Sequence, residues 1–112
     1  MLNRIRRDNP ALHSHLGLTL LPSSNSNVMF YEKASPGRHN VLLIAVNLNP
    51  HMIEESQVEF PLWHFGLDDG ATLSIDDLVT GQSFDRRGKW QTIRLDPTRL
   101  PYAIWRVTVK EA

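Results

Sequence analysis

Asp76 and Asp77 are the two residues whose type and proximity most suggest catalysis. Paired carboxylates can act as acid and nucleophile on a glycosidic bond when they flank it, about 5–10 Å apart. The two aspartates lie in ATLSIDDL (71–78), which has the alternation of a β-strand. Neighbours on a strand point to opposite faces, so the two carboxylates are not expected to converge on one substrate bond. We therefore predict that this pair is not catalytic.

Histidines are the next candidates for chemistry. His13 and His15 would share one face of a strand, as metal ligands sometimes do, but no third ligand follows at a recognisable spacing. The sequence also has no cysteine, no G-x-S-x-G nucleophile motif, no phosphate-binding loop and no H-E-x-x-H motif. These observations predict no catalytic residue, no metal and no cofactor.

Aromatic rings are the remaining candidates, because binding sites often use a flat ring as an apolar platform beside polar groups. Trp90 follows the polar turn 86–89, and Tyr102 opens the last apolar segment; these two are the candidates for a glycan contact. Trp105 shares its predicted strand face with two valines and is expected in the core. Trp63 lies in an apolar stretch and is also expected to be a packing residue.

The composition excludes several classes of partner. Twelve basic and twelve acidic residues cancel, so the chain has no net positive field for nucleic acid or for an anionic membrane. The longest apolar run, 41–46, is too short to span a bilayer. Because there is no cysteine and no apolar segment behind the N-terminal arginines, we expect a cytoplasmic protein.

The elements that position these residues are predicted from alternation and turn residues. Short apolar segments recur at roughly ten-residue intervals between turn residues, which predicts an all-β, antiparallel β-sandwich of seven or eight strands with Greek-key-like connections. NVLLIAVNL (40–48) is a continuous apolar run typical of a central strand. The only helical turn expected after residue 12 is near 62–66. Further strands are predicted at 13–21, 28–34, 57–62, 71–78, 90–96 and 102–109, with turns at 80–82 and 86–89.

The first residues follow a different pattern. The stretch LNRIRRDNPAL predicts about two helical turns before its proline, too few to be stable in isolation. Its arginines suit the negative C-terminal end of a longer helix, and Leu2 and Ile5 would continue an apolar stripe. We therefore expect residues 1–12 to be the end of a helix of a larger protein and residues 13–112 to be the sandwich. The alternative is a short surface helix capped by Asn3.

Several segments resemble the C-terminal region of α-amylase superfamily enzymes, and they occur in that superfamily's order. LNRIRRDNPAL resembles the end of the last barrel helix. The nearest resemblance is to the maltosyltransferases that extend α-1,4-glucans from maltose 1-phosphate. The chain departs from that pattern at Arg86, Thr92 and Tyr102-Ala103. The other matching segments are VMFYEKA (28–34), NVLLIAVNLNP (40–50), LSIDDLVTGQSF (73–84) and TIRLDPTRLPYAIWRV (92–107).

The resemblance implies a division of labour. In that superfamily the catalytic carboxylates lie in the barrel, and the C-terminal β-sandwich packs against it. This chain would then be a non-catalytic domain of a glucan-acting glycoside hydrolase or transferase of carbohydrate metabolism. Its partner would be the barrel of the same parent chain, with α-glucan as a second candidate. The alternatives are an autonomous α-glucan-binding module and a sandwich that serves oligomer contacts. The expected barrel-junction residues are Leu2, Ile5, Pro10, Ala11 and Leu12.

Overall fold

One short α-helix, two 3-10 helices and eight strands are the regular elements in the part of the chain described by a computed structural model, residues 2–9, 18–99 and 101–110. A six-stranded and a two-stranded antiparallel sheet enclose one main core, which confirms the predicted all-β sandwich. In these ranges no helix is both long and apolar enough to cross a membrane. The elements are α1 (Leu2–Asp8), β1 (Leu18–Leu20), β2 (Val28–Ala34), β3 (Val41–Asn47), β4 (Glu54–Glu59), β5 (Thr72–Asp77), β6 (Ser83–Arg87), β7 (Trp90–Leu95) and β8 (Tyr102–Val109).

The large sheet runs in the order β1-β2-β3-β8-β5-β6. β3 lies between β2 and β8, and its residues 41–45 are all buried. The continuous apolar run is therefore a central strand covered on both faces, as predicted. After β3 the chain crosses to the small sheet for β4 and returns for β5, so that β8 comes to lie between β3 and β5. This crossover is of the Greek-key kind.

β4 and β7 form the small sheet, and their alternation decides which side chains enter the core. Ser56, Val58 and the residues paired with them are buried, whereas the alternate positions are exposed or half-buried. Phe60 follows β4 and is fully buried between the sheets. Its ring stacks on Phe30 and meets Trp105 edge-on, with both centroid distances 6.1 Å. These three rings join the two sheets at the centre of the core.

The helix α1 packs on the outer face of the large sheet, away from the small sheet. Ile5 is buried there with Ile44 of β3 and Ile104 of β8. The helix ends at Asp8, and the Nδ2 of the next residue, Asn9, donates to the carbonyl oxygen of Ile5 at 2.9 Å. The Oδ1 of Asn9 accepts a hydrogen bond from Asn40 at 3.0 Å, which ties the helix end to the β2–β3 connection.

The region after β3 differs in its bounds from the prediction. β4 begins three residues earlier than expected, at Glu54, and the chain leaves the sheet before Pro61, which has no N–H to donate to a ladder. Residues 62–65 form a 3-10 helix that ends at Gly66 with φ of 69°, which confirms the single turn expected here. β6 begins after the first predicted turn and continues through Arg87, so that only residues 88–89 of the turn predicted at 86–89 lie outside a strand. The domain boundary predicted after residue 12 lies outside the described residues.

Candidate functional site

The acidic pair is held in structural hydrogen bonds on opposite faces of β5. Asp76 accepts hydrogen bonds from Arg106 at 2.9 Å and from Ser83 at 2.8 Å, and these bonds hold the pKa of Asp76 below its usual value. Asp77 instead faces the small sheet and accepts from Trp105 Nε1 at 3.3 Å. It also accepts two backbone N–H groups of the following turn. The two carboxylates do not converge, as the strand periodicity predicts.

Metal chemistry was predicted to be absent, and the described ranges contain no group of three or more His, Cys, Asp or Glu residues able to hold an ion. His13 and His15, the pair with the most ligand-like spacing, lie outside those ranges.

A buried carboxylate that sequence reasoning missed is contacted by residues of two 3-10 segments, Pro36–Arg38 and Leu62–Phe65. Glu32 is 1% exposed and accepts bidentate hydrogen bonds from Arg38, at 2.8 and 3.0 Å. His64 Nδ1 lies 3.1 Å from both carboxylate oxygens. Burial alone would raise the pKa of Glu32, but the hydrogen bonds from Arg38 and His64 together lower it. The sequence contained a signal for this burial. In VMFYEKA, strand alternation places Glu32 on the same face as Val28 and Phe30.

The tryptophans have three different environments. Trp105 is buried at 7% exposure, as expected for a core residue. Trp90 is 52% exposed, in agreement with its place after a polar turn. The expectation that Trp63 is a packing residue is wrong, because it is 49% exposed. In the 3-10 turn, Leu62 enters the core and its neighbour points away from it.

The two candidate glycan contacts belong to different sheets, Trp90 to the small sheet and Tyr102 to the large sheet. Trp90 belongs to the alternating positions of β7 that point away from the core. Tyr102 is paired with Val46 and packs with Ile104 in the cluster on the outer face of the large sheet. The structure therefore does not bring these two rings into one site.

Trp90 lies on the outward side of the small sheet, which we call the indole face. It comprises the outward residues of β7 and of β4, with Trp90 directly opposite Glu59 and Thr92 directly opposite Gln57. A shallow groove of about 330 Å³ adjoins this face and is lined by Ser24, Glu55, Ser56, Gln57 and Thr92.

A second cleft, of about 520 Å³, opens at one end of the sandwich beside β7 and β8. Arg86, one of the departures from the family pattern, lies over the rings of Phe84 and Trp105, 5.3 and 5.9 Å from their centroids. Asp77 also lines this cleft, but its oxygens already accept the hydrogen bonds described above. In this cleft, Arg86, Trp105 and Asp77 are thus held by contacts within the fold.

The outer face of the large sheet beside α1 carries the apolar surface that we call the junction face. Among the predicted junction residues, the structure places Ile5 here, packed on the sheet. The side chain of Leu2 and the residues Pro10, Ala11 and Leu12 lie outside what is described. The register sets further apolar side chains on the same face, and three of these are exposed: Leu18, Leu20 and Met29.

Comparison with known proteins decides the family. Residues 20–107 match the family described as "GLGE, C-terminal". This chain belongs to that family. An α-1,4-glucan:maltose-1-phosphate maltosyltransferase of Pseudomonas aeruginosa is 44% identical over 106 residues, which cover 95% of this chain and 16% of the relative. Proteins of the same name from Cereibacter sphaeroides and Rhodospirillum rubrum are 40% and 35% identical, and the match covers 96% of this chain and 16% of each relative.

The chain spans about a sixth of the length of these curated relatives. The family match begins at the end of β1 and ends in β8, so it covers both sheets. The alignments with whole relatives leave out only a few residues of this chain, so they also include most of the segment ahead of β1. The resemblance to maltosyltransferases is confirmed.

Proposed function

We propose that this chain is the non-catalytic C-terminal domain of a larger maltosyltransferase of the α-amylase superfamily, where it packs against the catalytic barrel of the same parent chain. Family membership and the name of the relatives support a parent that acts on α-1,4-glucans. The share of 16% leaves most of such a relative for a catalytic domain. We also propose that the parent is cytoplasmic, in keeping with a sequence that contains no cysteine.

The junction face is the observation that carries the packing role. Leu20 is 68% exposed and Leu18 is 52% exposed, and both lie on the sheet face on which Ile5 packs. Neighbouring exposed apolar side chains on one sheet face are typical of an interaction surface. Since α1 enters the fold on this same face, a barrel that ends in α1 would approach the domain from this side.

The carboxylates support a non-catalytic role. Asp76, Asp77 and Glu32 are each committed to hydrogen bonds within the domain. A general acid or nucleophile has to reach a substrate bond, and these groups have their oxygens occupied by partners of the fold. The autonomous binding module is less well supported, because the relatives carry this segment as a minor part of a long chain.

A chimera tests the packing role. The corresponding C-terminal segment of the Pseudomonas aeruginosa relative is replaced by this chain, which matches it at 44% identity. We expect the chimera to fold and to transfer maltosyl units. In the chimera, Leu20→Glu should lower the unfolding temperature and the activity, because a charge would be placed in an apolar contact.

Two controls make this test specific. Leu20→Glu in the 112-residue chain alone should leave its unfolding temperature unchanged, because the side chain is exposed there. Trp63→Glu changes another exposed apolar residue that lies off the junction face and should leave the chimera as stable as its parent. A Leu20→Glu chimera that is as stable and active as the unmodified chimera would refute the proposed packing surface.

A further inference from the structure

We propose that the indole face of the small sheet binds an α-1,4-glucan chain, with Trp90 as its stacking platform. The choice of α-glucan rests on the function proposed above, whereas the site itself rests on the geometry of β4 and β7. The site lies on the surface opposite α1, so it stays open to solvent when the junction face is covered.

The first step is the state of the indole ring. Trp90 leaves about half of its surface in water, at 52% exposure. Within the described residues its ring makes no stacking, edge or cation–π contact, whereas Trp63 meets His64 edge-on at 5.2 Å. A large, flat, exposed aromatic ring is a platform that the apolar side of a sugar ring can cover. The exposed half of this ring is therefore available to a ligand.

The second step is the polar lining around the ring. Glu59 is directly opposite Trp90, while Thr92 and Gln57 form the next pair on the same face, about 7 Å along the strands. The side chains of these three residues have no hydrogen-bond partner among the described residues. They offer a carboxylate, a hydroxyl and an amide, which are the groups that can bond sugar hydroxyls beside an apolar platform.

The third step is the shape beyond the ring. The groove of about 330 Å³ continues from Thr92 and Gln57 towards Ser24. A glucan chain that stacks on Trp90 can therefore extend along the indole face into this polar groove. The groove is shallow and open, so we expect weak binding, with a dissociation constant on the order of 1 mM.

Such a site has a consequence for a polymer-extending parent. A weak contact far from the catalytic centre holds a long acceptor chain near the enzyme and raises its effective concentration. A short acceptor cannot span both sites. The indole face would thus favour long glucan acceptors over short ones.

Indole NMR signals of the 112-residue chain test the binding directly. Maltoheptaose is titrated to millimolar concentration, and the Nε1–H signals of the three tryptophans are followed. We expect a saturable shift of the Trp90 signal. Trp63 is similarly exposed and serves as the matched control, while Trp105, bonded to Asp77, serves as the buried reference. Trp90→Ala should remove the saturable shifts of neighbouring backbone amides, and Trp63→Ala should retain them.

Several results would overturn the proposal. These are the absence of any saturable shift, a shift confined to Trp63, and an equal or larger response of Trp90 to cellohexaose, the β-linked counterpart. The chimera gives a second readout: Trp90→Ala should raise the half-saturating concentration of soluble amylose severalfold, and Trp63→Ala should not. If the chimera is active but the Trp90 signal of the isolated chain does not shift, glucan binding at the indole face is refuted and the packing role is not. Shifts in the isolated chain beside an inactive chimera refute the packing role alone.

Discussion

The buried carboxylate of Glu32 makes a sharp prediction about the stability of this domain. It joins β2 to the two 3-10 segments through Arg38 and His64, with oxygen–nitrogen distances between 2.8 and 3.1 Å. Glu32→Gln keeps the size of the side chain and one oxygen acceptor but removes the charge. The guanidinium of Arg38 would then lose its bidentate partner.

The expected cost follows from the burial of each partner. Breaking a buried ion pair by removing one partner costs about 3–5 kcal/mol. The side chain of Arg38 keeps 34% of its surface exposed, so water can solvate part of the orphaned charge. We therefore expect Glu32→Gln to lower the free energy of unfolding by about 2–3 kcal/mol at pH 7. With a typical urea dependence of about 1–3 kcal/mol per molar, the unfolding midpoint should fall by about 0.7–3 M.

Urea unfolding followed by tryptophan fluorescence measures this difference, because Trp105 is buried in the core. Glu55→Gln is the matched control. It removes an exposed carboxylate with no hydrogen-bond partner in the described part of the chain, and it should change the free energy of unfolding by less than about 0.5 kcal/mol. The reasoning fails if Glu32→Gln is as close to the wild type as this control.

The same pair of proteins should differ in pH dependence. The pKa of Glu32 is lower in the folded state than its ordinary value of 4.5, so its contribution to stability is complete above that value. The contribution is lost as the pH falls through the lowered pKa. Glu32→Gln has no such contribution to lose, so the gap between the two stabilities should narrow below about pH 4.5. A gap that stays constant down to pH 3 would contradict the assigned pKa direction.

Two further substitutions test the core and a turn. Phe60→Ala removes the fully buried ring between Phe30 and Trp105 and should lower the free energy of unfolding by about 3–5 kcal/mol in urea titrations; Phe60→Leu should recover more than half of that loss. Gly88→Ala places a side chain in the β6–β7 turn at φ of 94° and should cost about 1–2 kcal/mol by thermal unfolding, since its added Cβ has room but the backbone is strained. Gly70→Ala is the control, because Gly70 has no positive φ and open space around it. If Gly88→Ala leaves the unfolding temperature unchanged, the turn can change its conformation.

Most of the strands could be predicted because their signals are local. The bounds of β2 and β8 agree with the segments chosen from alternation and turn residues. β3 was recognisable because an unbroken apolar run fits a strand covered on both sides. The end of β4 was less predictable. Pro61 has no backbone N–H to donate, which favours the end of a strand, but this does not determine the direction of the chain after it.

The candidate site was only partly predictable. Strand periodicity indicates which face of a strand a side chain lies on, but it does not indicate which other strand lies beside it. The exposure of Trp90 follows from its place in the alternation of β7. Its separation from Tyr102 depends on which sheet each strand joins. The exposed position of Trp63 depends on how the 3-10 helix packs on the core. The apolar neighbours of Trp63 in the sequence led to the wrong expectation that it is buried.

The sequence by itself determined the fold class, most of the strand segments and the family, since all three depend on residue order along the chain. The tertiary structure alone decided which distant side chains and strands contact each other. Arg38 and His64 reach Glu32 from positions 6 and 32 residues away, and no local pattern encodes that meeting. Likewise, the pairing of β4 with β7 across 30 residues of chain creates the indole face. Contacts between distant segments depend on how both sheets close around one core, and a periodicity of two residues carries no information about that closure.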